Sequence, residues 1–132
     1  MIAGIGIDIC NTRRIEKVLQ KPYSQNFKKR VFSDNEIEYC DKMKNNAPHF
    51  AVRWAVKEAF YKALPDDLQN FSSWKSIEFI NDGEKKPFVN ICDKTLSSKM
   101  RDAGISRIHC SVSHESDICA AQVILENCGK QE

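Results

Sequence analysis

Arg53-Trp54-Ala55-Val56-Lys57-Glu58-Ala59-Phe60-Tyr61-Lys62-Ala63-Leu64 is the stretch on which the reading of this chain turns. It sets four charges, Arg53, Lys57, Glu58 and Lys62, into a run otherwise apolar enough for a protein core. The helical pattern reaches back to Ala47 or Pro48. It stops at Leu64, because Pro65 has no amide hydrogen and pushes its predecessor out of the α region. At about 100° per residue, Val52, Ala55, Val56, Ala59, Phe60 and Ala63 fall on one side as a core stripe. Arg53 and Lys57 lie on one flank, and Glu58 and Lys62 on the other. Between the flanks sit Phe50, Trp54 and Tyr61, an aromatic ridge that a solvated helix face rarely shows. Two accounts stay open. The helix is buried on both sides with snorkelling lysines, or the ridge meets another subunit or a flat ligand group. Contact within an oligomer is the expectation.

Glu58 and Lys62, one turn apart, read first as a helix-stabilising pair worth about 0.2–0.5 kcal/mol. Asp8 changes that reading. In Ile2 to Ile9, Ile5, Ile7 and Ile9 alternate onto one face and Gly4, Gly6 and Asp8 onto the other. Asp8 is the only charge in this strand. A carboxylate there must be paired or bind a cation, unless it serves as an Asx-type cap on the next helix. The missing side chains at Gly4 and Gly6 leave room for something to approach. Asp8 and Glu58, converging from a strand and a helix, would form a hard-cation site suited to magnesium, which keeps waters and takes phosphate oxygens. His114 ends an alternating strand, Ile108 to Ser113, and by itself reads as a polar edge residue.

Outward from these pieces the order is strand, three helices, hairpin, helix, hairpin, which predicts an α+β domain rather than a parallel α/β one. Asn11 or Thr12 caps a first helix carrying Ile15, Val18 and Leu19 on one side. Arg13 and Arg14 in its first turn oppose the macrodipole, a placement better tolerated if they meet a partner. Ser33-Asp34-Asn35-Glu36 reads as a capping box. Asn81-Asp82-Gly83 signals the turn of the first hairpin, and Gly104 ends the helix Thr95 to Ala103. The 132 residues read as one domain, 1–132, with residues 127–132 a fraying tail.

Twenty basic and eighteen acidic residues leave a net charge of +2, so bulk electrostatics do not point to nucleic acid. No apolar run approaches the roughly 20 residues that cross a bilayer, so no membrane partner is expected. Met1 to Ile9 lacks the features of a secretory signal. The six cysteines show no C-x-x-C and no histidine at zinc-ligand spacing. Cys10, Cys92, Cys110 and Cys119 fit apolar strand positions as small hydrophobes. Reduced thiols and a cytoplasmic location are expected.

Together these pieces resemble the holo-acyl-carrier-protein synthase family, the small bacterial-type 4′-phosphopantetheinyl transferases. Ile2-Ala3-Gly4-Ile5-Gly6-Ile7-Asp8-Ile9 is similar to that family's first strand. Phe50 to Ala63 is similar to its signature helix. Ser111-Val112-Ser113-His114 followed by Ala120-Ala121-Gln122-Val123 is similar to its last hairpin. The resemblance runs from Met1 to about Glu126. It implies the transferase fold, an antiparallel sheet packed against a long central helix and shorter helices. It also implies the reaction: coenzyme A gives its phosphopantetheine arm to a serine hydroxyl of apo acyl carrier protein, releasing adenosine 3′,5′-bisphosphate and supporting fatty acid biosynthesis. Asp8, Glu58 and Lys62 would be catalytic, with Asp8 and Glu58 holding magnesium and Lys62 balancing phosphate charge. Glu58, directly or through water, is one group that could take the serine proton. Arg53, Lys62, Lys86, Pro87 and His114 would hold coenzyme A. Arg13, Arg14 and Val18 would dock the acidic carrier protein. The family's trimers, with active sites at subunit boundaries, imply a homotrimer.

Two positions depart from the family pattern. Leu64-Pro65-Asp66-Asp67-Leu68 stands where a glycine-rich loop is usual, and its acids are expected to point away from a diphosphate. Lys85-Lys86 stands before Pro87 where Gly-Lys is usual, with Lys85 supplying charge in place of a flexible glycine. Two other readings compete. A catalytically silent module would not need Asp8, Glu58 and Lys62 together. A phosphohydrolase or nuclease would want more acidic ligands and a larger basic surface.

Overall fold

The computed structural model describes residues 1–81 and 83–129. Strand β1 (Ile2–Asn11) runs into helix α1 (Thr12–Leu19), followed by α2 (Ser24–Val31), α3 (Asp34–Asp41) and the long α4 (Ala47–Ala63). A one-turn helix, α5 (Asp66–Gln69), and a 3-10 turn (Trp74–Ser76) lead to β2 (Ile77–Ile80) and β3 (Phe88–Ile91). Then come α6 (Lys94–Asp102), β4 (Ile105–Glu115) and β5 (Ile118–Asn127). All pairings are antiparallel, in a three-stranded sheet ordered β1-β5-β4 and a separate β2-β3 pair. This is the expected α+β architecture.

Elements with short-range chemical signals formed where the sequence placed them. The Asn11 carboxamide oxygen accepts from the Arg13 amide at 2.9 Å and starts α1. Ser33 and Glu36 close a reciprocal capping box on α3. Gly104, at φ +83°, ends α6. In the predicted turn Asn81-Asp82-Gly83, Gly83 has φ +81° and Asp82 lies outside the described residues. Helix α2 has no such signal, since its N-terminus carries no side-chain cap, and the sequence reading missed it. Tertiary contact supports it instead. Val31 is buried, and Lys28 reaches Asp41 of α3 at 3.0 Å while its ammonium lies 5.3 Å from the Phe50 ring centroid.

Helix α4 lies on the glycine face of β1. A Cβ on Gly4 would stand 1.7 Å from the Ala63 carbonyl oxygen, and one on Gly6 1.9 Å from that of Ala59. The space left by these glycines is therefore filled by the helix backbone, not by a ligand. Strand and helix main chains meet at a separation that only Gly facing Ala permits. The opposite face of β1 is bare. Ile5, Ile7 and Ile9 are 58%, 59% and 65% exposed, and Ile118 of the neighbouring β5 is 43% exposed.

The aromatic ridge of α4 is mostly covered from within the chain, which corrects its reading as a surface left open for another subunit. Phe50 is fully buried against Phe32, Trp54 stacks on Trp74 at 4.4 Å, and only Tyr61 is exposed. Arg53 and Lys57 are 2% and 3% exposed, so the helix is buried on both sides. The fraying tail is also corrected in part. Asn127 belongs to β5 and exchanges main-chain bonds with Met1 at 2.7 and 2.8 Å; residues 130–132 lie outside the described residues. Cys10, Cys40 and Cys119 are buried hydrophobes, whereas Cys92 is exposed, against expectation.

Candidate active site

Asp8 sits on the inner face of β1, its side chain 16% exposed. Lys62, from the last turn of α4, donates to Asp8 Oδ1 at 3.2 Å and to the Ile7 carbonyl at 3.1 Å. Glu58 projects one helical turn before Lys62. Partial burial raises its pKa first and the Asp8 charge raises it further, against the lowering effect of Lys62. Asp8, Glu58 and Lys62 therefore share one electrostatic neighbourhood, although they come from opposite sides of a packed interface. The glycine face of β1 brings this about: close approach of α4 at Gly4 and Gly6 carries the next residues of each element together at Asp8.

The donor set suits a hard divalent cation. Two carboxylates supply oxygen only, and the Lys62 ammonium already occupies a cation's position beside Asp8 Oδ1 and a main-chain carbonyl. Among the described residues no group of three His, Cys, Asp or Glu side chains converges. Two protein carboxylates leave the other positions to water and substrate oxygens, the pattern magnesium favours.

Beside Glu58 opens a cleft of about 380 Å³, bounded by α4 on one side and by Ser72, Ser73 and Trp74 on the other. Tyr61 lies at the cleft and is 45% exposed. The sequence reading missed this second wall. Its one available signal was the tryptophan pair, because Trp74 has no local reason to be aromatic and acquires one only by stacking on Trp54.

Arg53 lies elsewhere. Its guanidinium carbon is 4.5 Å from the Tyr39 ring centroid and 5.3 Å from that of Phe79, and one terminal nitrogen donates to the His49 carbonyl at 3.1 Å. Its Nε, fully buried, has no hydrogen-bond partner. Burial, then the charges of Arg53 and His114, lower the pKa of His49, which places His114 of β4 in the same neighbourhood. Lys86 and Pro87 lie in the connection between β2 and β3, Lys86 exposed and Pro87 half-buried; Asn81, which opens that connection, shares a hollow with Arg53. The structure thus brings Asp8, Glu58 and Lys62 together on one flank of α4 and sets Arg53 and His114 around His49 on another, without bringing Lys86 or Pro87 to either group.

On α1, Arg13 is paired with Asp117 at 2.9 Å, so one first-turn arginine found its partner inside the chain. Arg14 is exposed and Val18 half-buried, while Ile15 faces the core. Asp66 and Asp67 of the unusual loop form the exposed N-terminal turn of α5, where acids suit the helix dipole, and Leu68 is buried.

Two carboxylates and a lysine meeting on this α+β scaffold are the kinds of group that a phosphoryl-type transfer uses. Residues 4–121 match the model of the 4′-phosphopantetheinyl transferase superfamily, and the chain belongs to that family. Among curated relatives, a holo-[acyl-carrier-protein] synthase of Geobacter sp. (strain M21) is 40% identical over 126 residues, covering 96% of this chain and 99% of that one. Among solved structures, the holo-[acyl-carrier-protein] synthase of Neisseria meningitidis superposes with a TM-score of 0.81 at 31% identity, covering 96% of this chain and 99% of that one. The Bacillus anthracis str. Ames enzyme, in complex with CoA (3′,5′-ADP), superposes at 0.75 with 32% identity, covering 96% of this chain and 98% of that one. No helix among the described residues is long and apolar enough to cross a membrane.

Proposed function

We propose that this chain is a holo-acyl-carrier-protein synthase acting as a single domain. It moves phosphopantetheine from coenzyme A to a serine of apo acyl carrier protein and so supports fatty acid biosynthesis. The carrying observation is the convergence of Asp8, Glu58 and Lys62 beside the cleft. The serine Oγ attacks the phosphorus that bears the pantetheine arm. An Oγ–P bond forms, the bridging P–O bond breaks, and adenosine 3′,5′-bisphosphate leaves with the electron pair. Asp8 and Glu58 would hold magnesium, which supplies charge neutralisation at the diphosphate. Lys62, released from Asp8 Oδ1, would offset the charge on a phosphate oxygen. Glu58, directly or through a water, would accept the serine proton. Ser72, Ser73 and Trp74 face the arm across the cleft. The test is mass spectrometry of apo carrier protein incubated with the enzyme, magnesium and coenzyme A. A gain of one phosphopantetheine is expected. No gain, under conditions where an authentic synthase works, rejects the function.

The bare isoleucine face supports a homotrimer with active sites at subunit boundaries, in which His114, Lys86 and Pro87 of one subunit hold the nucleotide beside another's Asp8 and Glu58. Arg53, 2% exposed between Tyr39 and Phe79, is too enclosed for the nucleotide contact that the family resemblance implied. Ile7→Lys puts a charge into that face, and burying it unpaired costs several kcal/mol, on the order of a subunit contact. Light scattering should read three copies of the 15.1 kDa chain for the parent and one for the variant. A variant that stays assembled would place the interface elsewhere.

Acyl carrier proteins are acidic, and Arg14 with Val18 on α1 would dock one. Arg14→Glu should reduce kcat/KM for the carrier about tenfold or more at low salt, with the difference shrinking as salt rises. A salt-independent rate equal to the parent's would remove α1 from the docking face. The free thiols fit a cytoplasmic enzyme.

A further inference from the structure

Lys57 is adjacent to Glu58 in sequence yet plays no part in the chemistry described so far. It is 3% exposed, and its ammonium has three donors, all engaged. One bonds the Trp74 carbonyl at 2.8 Å, one the Ile77 carbonyl at 2.5 Å, and one the Glu36 carboxylate at 2.9 Å. Glu36 in turn accepts from the amides of Ser33 at 3.0 Å and Phe79 at 3.2 Å. Burial lowers the Lys57 pKa and the Glu36 charge opposes this.

A buried ion pair is a poor choice for stability alone, since well-packed apolar residues of similar volume often do as well. This one has a geometric consequence. Trp74 and Ile77 bracket the 3-10 turn that follows Ser72 and Ser73, the cleft wall opposite Glu58. That wall is tied to α4 twice: by Trp74 stacked on Trp54, one turn before Glu58, and by the Lys57 ammonium, immediately before Glu58.

We propose that Lys57 is a positioning residue that sets the width of the cleft beside Glu58, and so decides how tightly the enzyme holds the pantetheine arm of its donor. This rests on the reading of the cleft as the site of the arm. The arm is an extended chain of amides and methylenes. Ser72, Ser73 and the edge of Trp74 offer hydroxyls and an aromatic surface suited to it, provided that the wall stays in place. Lys57 acts through main-chain carbonyls of that wall and touches no reacting atom.

The test separates donor arm from nucleotide. Adenosine 3′,5′-bisphosphate carries the nucleotide and lacks the arm. Lys57→Met combined with Glu36→Gln removes both charges, so neither is left buried alone. Calorimetric affinities for coenzyme A and for adenosine 3′,5′-bisphosphate are compared between parent and variant, each with magnesium. The variant should lose about tenfold in coenzyme A affinity. Its adenosine 3′,5′-bisphosphate affinity should stay within about twofold of the parent's. KM for coenzyme A should rise more than kcat falls. The variant's tryptophan emission should shift as the Trp54–Trp74 stack loosens. Should the double variant fail to fold, Trp54→Leu loosens the other tie from outside the cleft lining, without a buried charge, and carries the same expectation. Equal losses for both ligands, or an unchanged preference for coenzyme A, would overturn the role of Lys57. A parent that binds the two ligands equally would show that the arm is not held in the cleft, which rejects the underlying reading as well.

Discussion

Glu58→Gln should lower phosphopantetheine transfer by about a thousandfold or more, with Asp8→Asn close behind. Both substitutions keep shape and remove charge. Glu58 is partly exposed and its pKa is raised, so its ionised form is not a source of stability, and the variant should melt within a few degrees of the parent. Asp8→Asn still offers an amide oxygen to the Lys62 ammonium at the position of Oδ1, so the contact between β1 and α4 survives. What both variants lose is one of the two negative charges that would hold magnesium against the diphosphate. Carrier-protein mass measured against time checks this, with circular dichroism as the control for folding. A chelator should reproduce the loss in the parent. Full activity in either variant would remove that carboxylate from the site.

Gly6→Ala should prevent folding or cost about 3–5 kcal/mol, more than an ordinary surface or loop substitution. The added methyl would stand 1.9 Å from the Ala59 carbonyl oxygen and 2.9 Å from the Ala63 amide nitrogen. Both are backbone atoms, so no rotamer change relieves the clash and the strand and helix must separate. Separation would also pull Asp8 from Lys62, so any folded fraction should be nearly inactive. Gly83→Ala is the contrast. Its φ is +81° but nothing lies within 4 Å, so its cost is conformational only, about 1 kcal/mol. Soluble yield and thermal midpoint check both. A Gly6→Ala protein with a native midpoint would contradict the close packing of β1 on α4.

The two predictions draw on different kinds of legibility. Asp8 was readable because a lone carboxylate in an apolar alternating strand is an anomaly at the level of residues. Glu58 and Lys62 were readable from helical spacing together with a family resemblance. The capping box at Ser33 and the stop at Pro65 were readable because their partners lie within one turn. Helix α2 was not, having no cap and only a tertiary reason to exist. Which apolar face is left uncovered was not legible: aromatic residues on α4 and isoleucines on β1 are equally apolar in one dimension. Only packing shows that Trp54 has Trp74 for a partner while Ile7 is left uncovered.

Sequence alone determined the class of fold, the carboxylate on β1, and the carboxylate and ammonium on α4, because alternation, helical period and a misplaced charge are local properties. The tertiary structure decided what those residues face. It filled the gap at Gly4 and Gly6 with a helix backbone, buried Arg53 and Lys57 inside the chain, and built the second wall of the cleft from Ser72, Ser73 and Trp74. Each of these depends on a contact between residues distant in the chain, set by the closeness with which a strand stripped of side chains lets a helix approach.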